Sequence, residues 1–174
     1  MGWGYARRMS VEHVRKHLEP FGKADQILEF EESSATVELA AEKVGTEPAR
    51  IAKTLAFYDP DDASRAVLVV AAGDARMHNG SFKRLFGGKP RMLAADDVQP
   101  LTGFPIGGVC PFANPAGTRV YLDVSLKRFE LVYPAAGTPR SAVPMTLEEL
   151  ELCSGAQGWI EVTRGWNGAA ADAG

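Results

Sequence analysis

The sequence is poor in the residues that most site chemistries require. Its two cysteines, Cys110 and Cys153, are too few and too far apart for a disulfide framework or a thiolate zinc site. Histidine occurs three times. His13 and His17 have the i, i+4 spacing of a helical metal pair, but no third ligand lies near them. The neighbours Glu12, Arg15 and Lys16 mark a solvated helix face instead, and a metal site needs three or four converging ligands. No metal is expected. Long apolar runs are missing too: the longest, Ala66 to Ala72, has a strand's length, well short of the roughly 20 residues of a membrane span. No apolar stretch follows Arg7-Arg8 as a secretion signal would demand, so the expectation is a cytoplasmic chain with no membrane contact. G-x-S-x-G elbow, Walker loop and dinucleotide fingerprint are absent. The glycines from Gly103 to Gly108 follow no strand-to-helix pattern, and no organic cofactor is implied.

What is present suits one packed domain. With 174 residues and 45% hydrophobic content the chain can bury a sizeable core. The expected organisation is a domain over residues 10–164, an N-terminal tail over 1–9, and a mobile C-terminal tail over 165–174 with little to bury. A formal net charge of −3 argues against a protein that coats nucleic acid nonspecifically. Local basic groups remain, at Lys83-Arg84, Lys89 and Arg91 and at Lys127-Arg128; these read as solvated faces, with phosphate binding as the lesser alternative.

Periodicity predicts a helix capped by Ser10, with Val11, Val14, Leu18 and Phe21 on one face. A first strand is expected within Ala24–Glu31, then a helix with the stripe Val37, Ala40, Ala41 and Val44, ended by Gly45. A short helix at Pro48 leads through the apolar turn Ile51-Ala52 to a strand over Leu55–Tyr58. Val67–Ala72 reads as a strand buried on both faces. Helices are predicted after Asn79 and at Ala95–Val98, strands at Arg91–Leu93, Val120–Asp123 and Phe129–Tyr133, and a final helix opened by the capping box Thr146–Glu149. Strands and helices interleave without regular βαβ alternation. The fold class is therefore mixed α/β: one largely antiparallel mixed sheet flanked by helices.

Two features concern function. Lys53 places an ammonium at the edge of a packed layer, and the loop Thr102-Gly103-Phe104-Pro105-Ile106-Gly107-Gly108-Val109-Cys110-Pro111 is rich in glycine and proline, leaving its amides free to face a ligand. Lys53 is either a structural lysine whose stem covers apolar surface or a charge held toward a phosphate or carbonyl. The loop is either a tight turn or a ligand cradle. Cys110, with no histidine near it in sequence, reads as a small apolar loop residue and not a nucleophile.

Taken in order, Ile51-Ala52-Lys53-Thr54-Leu55, the loop Thr102–Pro111, Asp123 and Ala135-Ala136-Gly137-Thr138-Pro139 resemble the YbaK/EbsC-type aminoacyl-tRNA deacylases, which also occur as the editing domain of many bacterial prolyl-tRNA synthetases. The resemblance spans roughly residues 10 to 153. It implies the fold of that family and hydrolysis of the ester joining a wrong amino acid to the 3′ adenosine of tRNA, tRNA(Pro) above all. It also implies that Lys53 holds the 3′ end of the substrate and that Gly107, Gly108, Val109, Cys110 and Pro111 hold the aminoacyl group. Thr102, Ser34, Thr36 and Gly137 are further contacts on the same basis. Preorganised backbone N–H groups suit such a reaction, because charge builds on the ester carbonyl oxygen. The partners implied are aminoacyl-tRNA and an aminoacyl-tRNA synthetase.

The chain departs from the family where the pocket is shaped. Ser33-Ser34-Ala35-Thr36 stands where some members carry an Asn-Phe pair, and Ala142 where those members have an aspartate. Their cysteine specificity is therefore not carried over. The alternative function is a non-catalytic module of the same fold that holds a tRNA end or a synthetase surface. The acidic total charge favours that reading, and retention of Lys53 with the glycine loop opposes it.

Overall fold

A long apolar hairpin organises the molecule. In a computed structural model, which describes residues 2–34 and 36–166, β2 (Ile51–Asp59) and β3 (Asp62–Ala72) pair antiparallel from Ala52↔Ala72 to Tyr58↔Ala66. Two-residue periodicity divides their side chains between two layers. Ala52, Ala56, Leu68 and Val70 enter the larger core, while Phe57, Val67 and Val69 enter a smaller one with Phe82, Phe86 and Val162. Val67–Ala72 is thus buried on both faces, as its unbroken apolar run predicts.

Further strands extend this hairpin into a six-stranded sheet of order β8-β6-β2-β3-β5-β9, with β5 at Arg119–Asp123, β6 at Leu131–Pro134, β8 at Met145–Thr146 and β9 at Trp159–Ile160. The sheet is mixed, as expected. Its longest ladder is antiparallel, but β6 joins β2, β5 joins β3 and β9 joins β5 in parallel. Two small antiparallel pairs sit outside it: β1 (Leu28–Glu29) with β7 (Ser141–Ala142), and β4 (Arg76–Met77) with β10 (Thr163–Arg164). Such two-residue strands carry too little pattern to be read from sequence.

Helices cover both faces. On the larger core lie α1 (Gly2–Leu18), through Val14 and Leu18, and α5 (Leu147–Ser154), through Leu150 and Cys153. Phe82 and Phe86 of α3 (Asn79–Phe86) stack tilted, with ring centroids 4.5 Å apart, on the other face. α2 (Val37–Val44) packs on β2 and α4 (Ala95–Thr102) on β3. The Thr146 capping box opens α5 as predicted, its side chain and that of Glu149 each bonding the other's backbone.

Several expectations are corrected. The first helix begins at Gly2, so Ser10 is not its cap, and the segment read as a tail is helical from Gly2 onward; Ala6, Arg7, Arg8 and Met9 are good helix formers. His17 is half-buried rather than solvated: its Nε2 lies 2.6 Å from the Cys153 carbonyl oxygen and joins α1 to α5. Ala24–Gln26 forms a 3-10 turn in place of the early part of the first strand. Helix α4 runs on past Val98 to Thr102, with Gly103 in the left-handed conformation at its end. Trp166, placed in the expected tail, donates from Nε1 to Thr163 Oγ1 at 2.9 Å. The remainder of that tail, 167–174, lies outside the described residues.

Asp123 is a buried anchor. Its carboxylate accepts from the backbone of Ser125 and Val162 and from the Thr163 hydroxyl at 2.6 Å. That network ties the end of β5 to β10.

Candidate active site

Lys53 lies inside β2 and not before it, because Ile51 already pairs with Tyr133 of β6. Its Nζ donates to the carbonyls of Gly73, at 3.3 Å, and of Ala75, both just beyond the end of β3. An ammonium has three donors, so one N–H is left for another group. Burial pushes the Lys53 pKa below the ordinary lysine value; Asp74 and Glu38 act the other way, and Arg76 adds to the depression. Gly73 is required by this packing, since a β-carbon there would stand 2.0 Å from the Pro48 carbonyl oxygen.

A cavity of about 240 Å³ opens beside Lys53. Ile51, Ala52, Lys53 and Thr54 all line it. Successive strand side chains point to opposite faces, so a cavity reached by four in succession sits at the edge of the strand and not on one face. Among the described residues Lys53 is the one charged side chain in its wall. Met92 and Ile106 stand at its rim, each 64% exposed.

The loop after α4 supplies the opposite wall. Pro105, Ile106, Gly107 and Gly108 form a turn closed by Gly108 N–H donating to the Pro105 carbonyl at 2.9 Å. Gly107 takes the third position with φ 87°, a conformation that favours glycine. Asn114 closes the loop from behind, donating from Nδ2 to the carbonyls of Thr102 and Cys110 at 2.9 and 3.0 Å.

The residues expected at the site divide into two groups. Lys53, Gly107, Val109, Ser34 and Thr36 line the cavity. Ser34 Oγ donates to the Pro139 carbonyl at 2.7 Å, and Thr36 Oγ1 caps α2 by accepting from Leu39 N–H at 3.1 Å. Thr102, Gly108, Cys110, Pro111 and Gly137 are not in the lining. Thr102 is buried and its hydroxyl donates to the Val98 carbonyl at the end of α4. Gly108 packs on Gly137 and Thr138, and Gly137 in turn, at φ 96°, packs on Ser10 and Phe104. Cys110 belongs to the larger core, and burial pushes its thiol up to about 12. Pro111 is buried beside it.

Sequence reasoning missed several wall residues. Thr138 and Ser141 line the cavity from the segment after β6, the Thr138 hydroxyl donating to Ser141 Oγ at 3.1 Å. Leu93 and Tyr133 complete the sides; their separation in the chain hides them from any spacing argument. Ala142 also lines the cavity, at a position where the sequence departs from the deacylases it resembles. Ala35, quoted in the other departure, lies outside the described residues. The basic pair Lys127-Arg128 has partners of its own: Arg128 binds Asp74 at 2.6 Å and stacks on Trp166, and Lys127 sits 4.7 Å from the Trp159 ring centre. Among the described residues no group of three or more His, Cys, Asp or Glu converges as a metal site would need, and no helix is long and apolar enough to cross a membrane.

This edge cavity, with a half-buried lysine and a glycine turn on a mixed sheet, lies in a chain matched by the family of aminoacyl-tRNA editing domains. The model of that family matches residues 31–152, and the chain belongs to it. YwhH of Bacillus subtilis (strain 168), described as uncharacterized, is 46% identical over 158 residues, 91% of this chain and 99% of its own length. Among solved structures, a candidate trans-editing enzyme for prolyl tRNA synthetase superposes with a TM-score of 0.80 at 34% identity, over 90% of this chain and 98% of its own. The hypothetical protein APE2540 follows at a TM-score of 0.76 and 29% identity, over 87% and 99%.

Proposed function

We propose that the protein is a trans-acting deacylase that hydrolyses the ester of mischarged tRNA(Pro) in the cytoplasm. The observation that carries this reading is the half-buried Lys53 ammonium at a cavity that Gly107 and Val109, from the loop after α4, also line. A cavity of about 240 Å³ is smaller than the roughly 300–1,000 Å³ of drug-sized sites. It suits an aminoacyl group and its ribose, with the nucleic acid outside. Because Lys53 alone among the described wall residues is charged, a charged amino-acid side chain would find no partner deeper in the cavity. The substrate class is a small uncharged amino acid.

In this reading Lys53 uses its remaining N–H to hold the 3′ end of the tRNA, and partial desolvation strengthens that contact. The exposed side chains of Met92 and Ile106 offer apolar surface to the terminal base. The Gly107–Val109 backbone faces the ester, where negative charge grows as a water or a ribose hydroxyl attacks. Neither cysteine suits a nucleophile, since burial raises both thiols, Cys110 to about 12 and Cys153 to about 11.

The test is release of labelled amino acid from Ala-, Cys- and Ser-charged tRNA(Pro), with wild type beside Lys53→Ala. Turnover by wild type that is lost in the variant supports the reading and names the substrate. Survival of every charged tRNA would move the protein to the alternative of a binding module for tRNA or a synthetase.

A further inference from the structure

β2 is paired along its length on one side only. Toward β3 the ladder is continuous from Ala52 to Tyr58. On the other side β6 covers Ile51 and Ala52, and the next contact is the isolated bridge Phe57↔Met92. The residues between have an open edge.

Main-chain alternation decides which groups face that gap. The Ala56 carbonyl accepts from Leu93 N–H at 3.2 Å, and Tyr58 N–H donates to the Arg91 carbonyl at 2.9 Å. Both groups point away from β3, so the even-numbered residues of β2 direct N–H and C=O outward while Lys53 and Leu55 direct theirs into the β3 ladder. Thr54 is in the outward phase. Among the described residues its N–H and C=O have no partner in the gap, and its Oγ1 is buried without a hydrogen bond. The cavity lies in the same gap: Tyr133 and Ala135 line it from one flank, Met92 and Leu93 from the other, with Thr54 between. Buried polar groups are nearly always paired. A buried hydroxyl without a partner, beside an N–H and C=O that no strand takes up, marks a place in the cavity wall where a ligand completes the bonding.

We propose that Thr54 binds the aminoacyl ester as a neighbouring strand would, its N–H donating to the ester carbonyl oxygen and its C=O accepting from the α-ammonium. An aminoacyl group is one residue with its own nitrogen and carbonyl. It can therefore exchange both bonds with Thr54, as a hydrogen-bonded pair of an antiparallel ladder does. The inference rests on the deacylase reading and deepens it: the part of the substrate that every amino acid shares is read by main chain, leaving side chains in the wall to read the rest. Since the carbonyl oxygen gains charge during hydrolysis, the Thr54 N–H contributes most in the transition state.

Two measurements test this. In the first, amide hydrogen exchange is followed by NMR in the free protein, and the Thr54 N–H should exchange at least tenfold faster than those of Lys53 and Leu55. Equal protection of all three would mean that the edge is already paired, and the proposal fails whether or not the protein is a deacylase. In the second, Thr54 is replaced by its α-hydroxy acid analogue, which deletes the N–H and keeps the side chain. The expected result is a fall in kcat/KM of about a hundredfold on the charged tRNA that wild type hydrolyses, carried by kcat, the size seen when one oxyanion donor is removed. An unchanged kcat/KM would overturn the proposal while leaving the deacylase reading intact. A wild type inactive on all charged tRNAs would instead sink that reading.

Discussion

Gly108 lies against Gly137 so closely that a β-carbon on Gly108 would stand 2.6 Å from the Gly137 carbonyl oxygen and 2.7 Å from Thr138 Cα. Both obstructing atoms are backbone and cannot swing aside. The contact joins the turn after α4 to the segment after β6, two walls of the cavity. Gly108→Ala should lower stability by about 1–3 kcal/mol, the usual cost of overpacking, and slow deacylation by displacing Gly107 and Val109. Thermal unfolding and turnover measured on the same preparation check it; an unchanged midpoint would show that the two segments move independently.

Lys53 gives a prediction with a sign. Its pKa in the folded protein is depressed, with burial the main cause, below the 10.5 of a free lysine. Below the folded value both folded and unfolded chains carry the proton, and the cost of burying the charge is fully felt. As pH rises toward 10.5 the folded chain gives up its proton first, and that cost is relieved. The stability of wild type relative to Lys53→Met should therefore rise across this alkaline window and level off above it. Turnover that needs the ammonium should decline on the alkaline side earlier than a solvated lysine would dictate, once the spontaneous ester hydrolysis is subtracted. Parallel denaturation curves for the two proteins from pH 8 to 10.5 would contradict the burial argument.

The thiols should be silent. Cys110 and Cys153 are buried and raised to about 12 and about 11, and thiolate is the form that alkylates. Native protein treated with iodoacetamide at neutral pH should keep its mass and its activity, while unfolded protein should gain two adducts, one for each cysteine of the chain. Rapid loss of activity on alkylation would return Cys110 to consideration as a nucleophile.

Thr54→Val should make the protein more stable. The substitution keeps the side-chain shape and removes a buried hydroxyl that has no partner, a group whose burial costs about 1–3 kcal/mol. For a chain of this size each 1 kcal/mol raises the unfolding midpoint by about 2–4 °C. Scanning calorimetry decides the point, and a lowered midpoint would mean that the hydroxyl has a partner in solution.

Much of this was legible before any coordinates. The unbroken run Val67–Ala72 declares a doubly buried strand, and Thr146 with Glu149 declares a helix start, because each signal is local and strong. Lys53 and Gly107 were expected together from the order of the motifs around them, and both line the cavity. Thr102, Cys110 and Gly137 share those motifs yet serve the frame: a helix end, a core position and a backbone crossing. A motif records which residues a loop requires, and it does not separate those that face inward from those that face the ligand. The open edge at Thr54 was beyond reach, since it depends on β6 and Met92 stopping short on the same side of β2. No spacing along one chain encodes where two distant segments fail to meet.

The cavity's position at a strand edge divides its labour. Its floor is the peptide backbone of β2, which no exchange of side chains rewrites. Its walls, Ser34 and Thr36, Leu93, Val109, Thr138 and Ala142, hang on separate segments, and none of them takes part in the β2–β3 ladder. Selection can therefore reshape the cavity, one wall at a time, while the scaffold and its strand edge are inherited unaltered.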